Sequence, residues 1–238
     1  LSLSLVTPVT PTPKSTPPPD ALIIPAVAHA TGINAEFRSD VRVSNTSAKL
    51  MNYQLTFTPS GEAGIAEGKQ STFSIEPGQT VALDDVLRTW FGTGGQSVTG
   101  TLEIRPLTES SPTAEQILSG LSNLVTFASS RTFNLTPNGT FGQYIPAVAY
   151  ANFAGQSKIL SLQQIAHSSR YRTNLGIVEG SGEPALLLVR VFGDNGAKLT
   201  DFPVALNGGQ HLQLNSFLAQ QGISLNDGRV EVEVTSST

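Results

Sequence analysis

An ordered internal echo narrows what this chain can fold into more than any other feature. Ile24-Pro25-Ala26-Val27-Ala28-His29 returns as Ile145-Pro146-Ala147-Val148-Ala149-Tyr150, and Arg38-Ser39-Asp40-Val41 returns, more loosely, as Arg172-Thr173-Asn174-Leu175. PGQTVALDDVL (77–87) is answered by GGQHLQLNSFL (208–218), and Gly100-Thr101-Leu102-Glu103-Ile104 by Gly228-Arg229-Val230-Glu231-Val232. The spacings are 121 (24 to 145), 134 (38 to 172), 131 (77 to 208) and 128 (100 to 228). Order is kept and only loop lengths differ, so two copies of one domain are expected, 21–141 and 142–238. Each is about the size of an ordinary β-sandwich.

Within a copy the segments read as strands. SDVRVSN (39–45), YQLTFTP (53–59), STFSIEP (71–77), QTVALDD (79–85) and VTGTLEIRP (98–106) alternate or carry β-branched residues. PSGEAG (59–64), GDNGAK (193–198) and LNGGQ (206–210) supply turns. Helix is scarce: a turn or two is expected after Asp84 and after Asn215, each a plausible N-cap, with a third candidate at 113–124. The expected fold is all-β, two tandem Ig-like β-sandwiches.

The copies are unequal at their ends. The first continues into LVTFASSRTFNLTPNGTFGQ (124–143), which holds one further strand, while the second ends at VEVEVTSST with Thr238. The second copy is therefore expected to lack its last strand. At the other end of the chain, Leu1, Leu3 and Leu5 alternate with Ser2 and Ser4, followed by Val6, as in a strand with one apolar face. Residues 8–20 form a linker whose prolines, Pro8, Pro11, Pro13, Pro17, Pro18 and Pro19, cannot extend a sheet because they have no N–H to donate. In polyproline II geometry the stretch from Pro8 to Pro19 spans roughly 37 Å. The reading is that residues 1–7 are a donor strand filling a groove in the second copy of a neighbouring chain. The groove edge is expected at Val230, Val232 and Val234. Donor and acceptor surfaces differ, so the contact would run head-to-tail and build a homopolymer.

The runs IPAVAHATG…FRSDVRVSNTS, ASSRTFN…GTFGQYIPAVA and YRTNLGIVEGSG resemble a repeat of secreted environmental-bacterial proteins. In that family, strands of IPA-x-A and R-[ST]-[DN] type recur along extracellular chains of β-sandwich modules. The resemblance implies a fold and an extracellular or cell-surface location. It implies no catalytic residues.

Composition agrees with this direction. Charged residues are 13% of the chain, about half the usual ~25%, and the net charge is −4, against the basic stripe that nucleic acid requires. There is no cysteine, so disulfides and thiolate chemistry are excluded, and no apolar run is long enough to insert in a membrane. A first residue of Leu1 rather than Met suggests a processed N-terminus and hence secretion. His29, His167 and His211 are scattered without metal-ligand spacing, with Tyr150 facing His29 in the alignment and Thr80 facing His211. Asp84-Asp85 reads as a cap and Asp194-Asn195-Gly196 as a β-turn rather than as calcium ligands. No G-x-S-x-G elbow occurs, and Glu103 and Glu231 fall at matched strand positions expected to face outward. Trp90, Tyr53, Tyr144, Tyr150 and Tyr171 are the candidates for a sugar-stacking platform, although Trp90-Phe91 lies where a helix should meet the core. Asn45, Asn134 and Asn138 open glycosylation sequons, a pattern short enough to arise by chance. Neither enzyme nor cofactor is expected. The functional expectation is a filament or pilus-like structural subunit, with a monomeric adhesion or carbohydrate-binding module, binding glycans or a surface partner, as the alternative.

Overall fold

A computed structural model describes residues 16–32, 35–62, 68–107, 125–136 and 138–237. The donor strand 1–7, the tether prolines Pro8, Pro11 and Pro13, and the candidate helix at 113–124 lie outside the described residues. What is described is all-β and β-sandwich-like, with two short helices.

The first half contributes β1 (Leu22–Gly32), β2 (Ala35–Asn45), β3 (Met51–Pro59), β4 (Lys69–Ile75), β5 (Thr80–Leu83), α1 (Val86–Thr89), β6 (Val98–Pro106), β7 (Thr126–Thr136), β8 (Gly139–Pro146) and β9 (Val148–Ala149). They pair antiparallel in the order β4-β3-β6-β1-β2-β7-β8, with β5 on β2 and β9 on β1. Alternation drives this arrangement. Met51, Tyr53, Leu55 and Phe57 on β3 point inward with Leu102 and Ile104 on β6, and Leu22, Ile24, Val27, Val41 and Val43 complete one apolar cluster. Full burial of such a side chain is worth roughly 1.5–3 kcal/mol. Trp90 and Phe91, just after α1, pack on this cluster against Phe73 and Phe57, as the sequence reading expected.

A 3-10 turn (Tyr150–Asn152) leads to the second half: β10 (Ile159–His167), β11 (Leu175–Val178), β12 (Ala185–Phe192), β13 (Lys198–Leu206), β14 (His211–Leu214), α2 (Phe217–Gln220) and β15 (Leu225–Ser237). One sheet runs β10-β15-β12-β13 and a second is β11-β14. Leu187, Val189, Val191, Phe217, Leu218, Val230, Val232 and Val234 lie at the centre of a separate apolar cluster.

The order β4-β3-β6-β1 is answered by β13-β12-β15-β10 and the pair β2-β5 by β11-β14, down to an irregularity. Ile24 faces Leu102 and Val27 faces Gly100 with a bulge between them; Leu162 faces Val230 and Ile165 faces Gly228 with a bulge between them. Asp85 and Ser216, immediately before the two helices, both sit in the left-handed region (φ 45° and 50°). The backbone N–H of each is held at 2.9 Å by a side chain on the R-[ST]-[DN] segment, Asp40 for Asp85 and Asn174 for Ser216. That is why these two distant echoes occur together. The caps thus fall one residue beyond Asp84 and Asn215, and neither makes a side-chain cap bond.

Three expectations shift. The strand of the second half that corresponds to β1 is β10, not the IPAVA echo, so His29 is matched by His167 rather than by Tyr150. The echo at 145–149 instead covers the first half: the boundary at 141/142 falls inside β8, which pairs with β7, and β9 pairs with Leu22 and Ile23. The last part of the proline tether is docked. Pro17 is buried, Ala21 N–H donates to Pro18 O at 2.9 Å, and Ala151 N–H donates to Pro19 O at 3.1 Å.

Candidate functional site

Matching strands by register exposes what the second half lacks. In the first half β2 is paired on both edges, by β1 and β5 on one side and by β7 from Glu36 to Asn45 on the other. Its counterpart β11 pairs only with β14; among the described residues no strand occupies its other edge. β10 likewise pairs only with β15, whereas β1 also carries β9 and β2. The side chains record the consequence. Leu22 and Ile24 are 4% and 0% exposed, while Leu160 and Leu162, in the same register against β15, are 54% and 42% exposed. In the first half that surface is covered by Val125, Ala128, Ile145, Ala147 and Ala149 from β7 to β9 and their flanks. The result in the second half is two strands with open edges, β10 and β11, with Leu160 and Leu162 exposed on the core side of β10 and Ile165 and Ile177 only partly buried.

This relocates the expected edge. Val230, Val232 and Val234 are buried on β15, and β15 is an inner strand hydrogen-bonded to β10 on one side and β12 on the other. It has no free edge to offer. The open edge belongs to β11, in the other sheet from β15, where the sequence placed it. Leu1, Leu3, Leu5 and Val6 lie outside the described residues.

The remaining candidates resolve into structure. Nδ1 of His29 donates to Asp85 Oδ1 at 2.8 Å, and Arg38 Nε lies 3.8 Å from Asp85 Oδ2, so the trio braces the strained residue before α1. The Arg38 guanidinium also bonds Glu36 at 2.7 Å, which holds the Glu36 carboxyl below the usual range. Glu103 lies on the face of β6 away from the core residues Leu102 and Ile104, as expected, but it is buried there and bonded to Arg105 at 2.8 Å. Glu231 is partly buried and pairs with Arg229 at 3.1 Å. Asp84 pairs with Arg42 at 2.7 Å, and Asp194-Asn195-Gly196 is a turn closed by Gly193 and Ala197. Among the described residues no three His, Asp or Glu side chains gather as metal ligands.

The aromatic candidates do not converge on one surface. Tyr53 is in the core and bonded to Thr126 at 3.0 Å, and burial raises its hydroxyl pKa. Tyr150 packs on Phe153 with the rings tilted, while Tyr144 and Tyr171 stand exposed in separate places, on β8 and in the loop before β11. Asn45 is no glycan acceptor in the folded chain: it is buried, its Nδ2 donates to Lys49 O at 2.7 Å and Ile75 O at 2.9 Å, and its Oδ1 accepts from Ser47. Its counterpart Glu179 closes the equivalent loop, accepting from Ser181, Gly182 and Gly209.

Polar contacts around His211 tie the halves together, and sequence reading missed its role. Ser60 Oγ and His211 Nδ1 share a hydrogen bond at 2.6 Å, and Gly61 N–H donates to His211 O at 2.9 Å. Burial pushes the His211 imidazole below its ordinary value of 6.5, which favours the neutral ring in the folded state. An unfolded His211 takes up its proton near that ordinary value, so the stability it supports is complete above it and is lost as pH falls towards the folded value. The expected result is a fall in the urea midpoint between pH 7.5 and 5.5 that shrinks in His211→Gln. An unchanged slope in that variant would assign the acid sensitivity elsewhere.

No family model and no curated protein matches this chain. Among solved structures, that of Thermotoga maritima 1070 is similar over 55% of this chain and 94% of its own, with a TM-score of 0.39 and 9% identity. At that score the likeness carries no argument about fold or function.

Proposed function

We propose that the protein is a non-catalytic extracellular structural subunit. In this reading the halves are tandem Ig-like β-sandwich domains joined to an N-terminal strand by a proline-rich tether. Subunits polymerise head-to-tail: residues 1–7 of one chain complete the second domain of the next, along the open edges of β10 and β11. The observation that carries this reading is the contrast between Leu22 and Ile24, sealed by β7 to β9, and Leu160 and Leu162, left open at matched positions. An open edge beside exposed apolar side chains is an association surface unless it is covered. The chain carries a segment of suitable pattern, with leucine at every second position. Strand addition of this kind gains affinity from main-chain hydrogen bonds and specificity from alternate side chains.

Negative-stain microscopy of the full chain beside a variant lacking residues 1–7 tests the proposal. Filaments are expected for the full chain and none for the deletion. Monodisperse particles in both samples would remove the filament and leave an adhesion module as the better account.

A further inference from the structure

The first half already contains a worked copy of the joint, and it specifies how the donor should lie. There β7 runs antiparallel to β2, with Ser130 opposite Val41, Ala128 opposite Val43 and Thr126 opposite Asn45. Val41, Val43, Thr126 and Ser130 are all buried, so facing residues share the inner side. The corresponding inner positions of β11 are Leu175 and Ile177, followed by the loop residue Glu179; Gly176 and Val178 alternate with them.

Resting on the filament reading above, we propose that the donor strand lies antiparallel to β11 with Leu5 opposite Leu175, Leu3 opposite Ile177 and Leu1 opposite Glu179 of the neighbouring chain. Three constraints select this register. The leucines must face inward, and a slip of one residue would turn all of them outward and bring the serines onto the core. Both apolar positions of β11 should meet a leucine, which leaves Leu5 or Leu3 opposite Leu175. The first choice sets residues 2–5 against all four residues of β11, Ser2 facing Val178, and carries the ladder to Glu179, the counterpart of Asn45 where the β2–β7 pairing ends. It also places Pro8 opposite Arg172, outside β11, where its missing N–H breaks no ladder bond. Val6 and Thr7 then span Asn174 and Thr173.

In this register Ser4 faces Gly176, on the outer side of the joint. The chain has no cysteine of its own, so an introduced pair reports without background. Gly176 tolerates a side chain: a Cβ there meets nothing nearer than His211 Nε2 at 3.9 Å. Facing residues of an antiparallel pair bring Cβ atoms about 4.5–5.5 Å apart, close to the reach of a disulfide.

The test mixes two single variants of the full chain, Ser4→Cys and Gly176→Cys, under mild oxidation and separates the products on a non-reducing gel. A covalent heterodimer of the two variants is expected as the main product, at least tenfold above that from Ser2→Cys with Gly176→Cys. The reverse preference would overturn the register and favour a two-residue slip. Filaments by microscopy without the Ser4–Gly176 product would also overturn it while leaving polymerisation intact. Absence of filaments in the unmodified chain would instead reject the polymer itself. A double variant Ser4→Cys/Gly176→Cys that closes only within one chain would show the strand folding back on its own second half, and would overturn donation between chains.

Discussion

Gly100→Ala should unfold the first half near room temperature or lower its melting point by roughly 10–20 °C. A Cβ at Gly100 would lie 2.0 Å from Thr58 O and 2.7 Å from the Phe57 ring, where β6 passes β3 at the bulge opposite Val27. The obstructing atom is a backbone carbonyl of an inner strand, so no rotamer change relieves the overlap. Overpacking of this kind costs about 1–3 kcal/mol and occasionally more, and each kcal/mol moves a ~100-residue unit by roughly 4–8 °C. We expect the upper end or beyond. Gly228 is its counterpart, and there the nearest atom is the flexible Leu225 Cδ2 at 2.4 Å, with Phe192 O at 2.7 Å. Gly228→Ala should therefore be milder, at about 1–3 kcal/mol. Calorimetry of both variants checks the order. A Gly100→Ala protein melting within 2–3 degrees of the parent would mean that β3 does not pass so close.

The second large effect separates stability from assembly at one register position. Ile24→Ser removes a fully buried side chain and sets a hydroxyl in its place, and should cost about 2–5 kcal/mol. Leu162→Ser makes a similar change at the matched position, where the side chain is 42% exposed, and should cost an isolated subunit no more than ~1 kcal/mol. If the exposed face of β10 is a docking surface, the ranking reverses for polymerisation. Leu160→Ser/Leu162→Ser should abolish filaments while the circular dichroism melt hardly moves. A double variant that still polymerises like the parent would place the joint away from β10.

Much of this architecture was legible in the sequence, and the failures have physical causes. β6 falls on the expected 98–106, and β2 to β5 fall within a few residues of expectation, because each has one buried face and a period of 2. β7 was legible as the further strand of the first copy. β8 was not recognised as a strand, because on GTFGQYIP no side chain is fully buried and no alternation appears. β10 was missed although Leu160 and Leu162 alternate with Ser161, because the alternation is short and both leucines are exposed rather than packed in a core. The repeated IPAVA misled because similar residues serve different places, one inside β1 and one laid across its start. The open edge was misassigned because pairing is non-local. Strands can be counted along the chain, but their neighbours depend on the topology, which puts β15 inside its sheet and β11 at an edge among the described residues.

The way the tether enters the molecule also determines how it would respond to pulling. Its docked end and the start of the second half are held side by side: Tyr150 N–H donates to Ala21 O at 2.8 Å and Ala151 N–H to Pro19 O, next to the antiparallel pairs Leu22–Ala149 and Ile23–Val148. Both segments leave this short ladder at the same end. Tension drawn through the tether and out along the second half therefore peels the ladder one bond at a time, rather than shearing all the bonds together. Extension would begin there while the sheets on either side stayed folded, giving each subunit a compliant link in series with two stiff bodies.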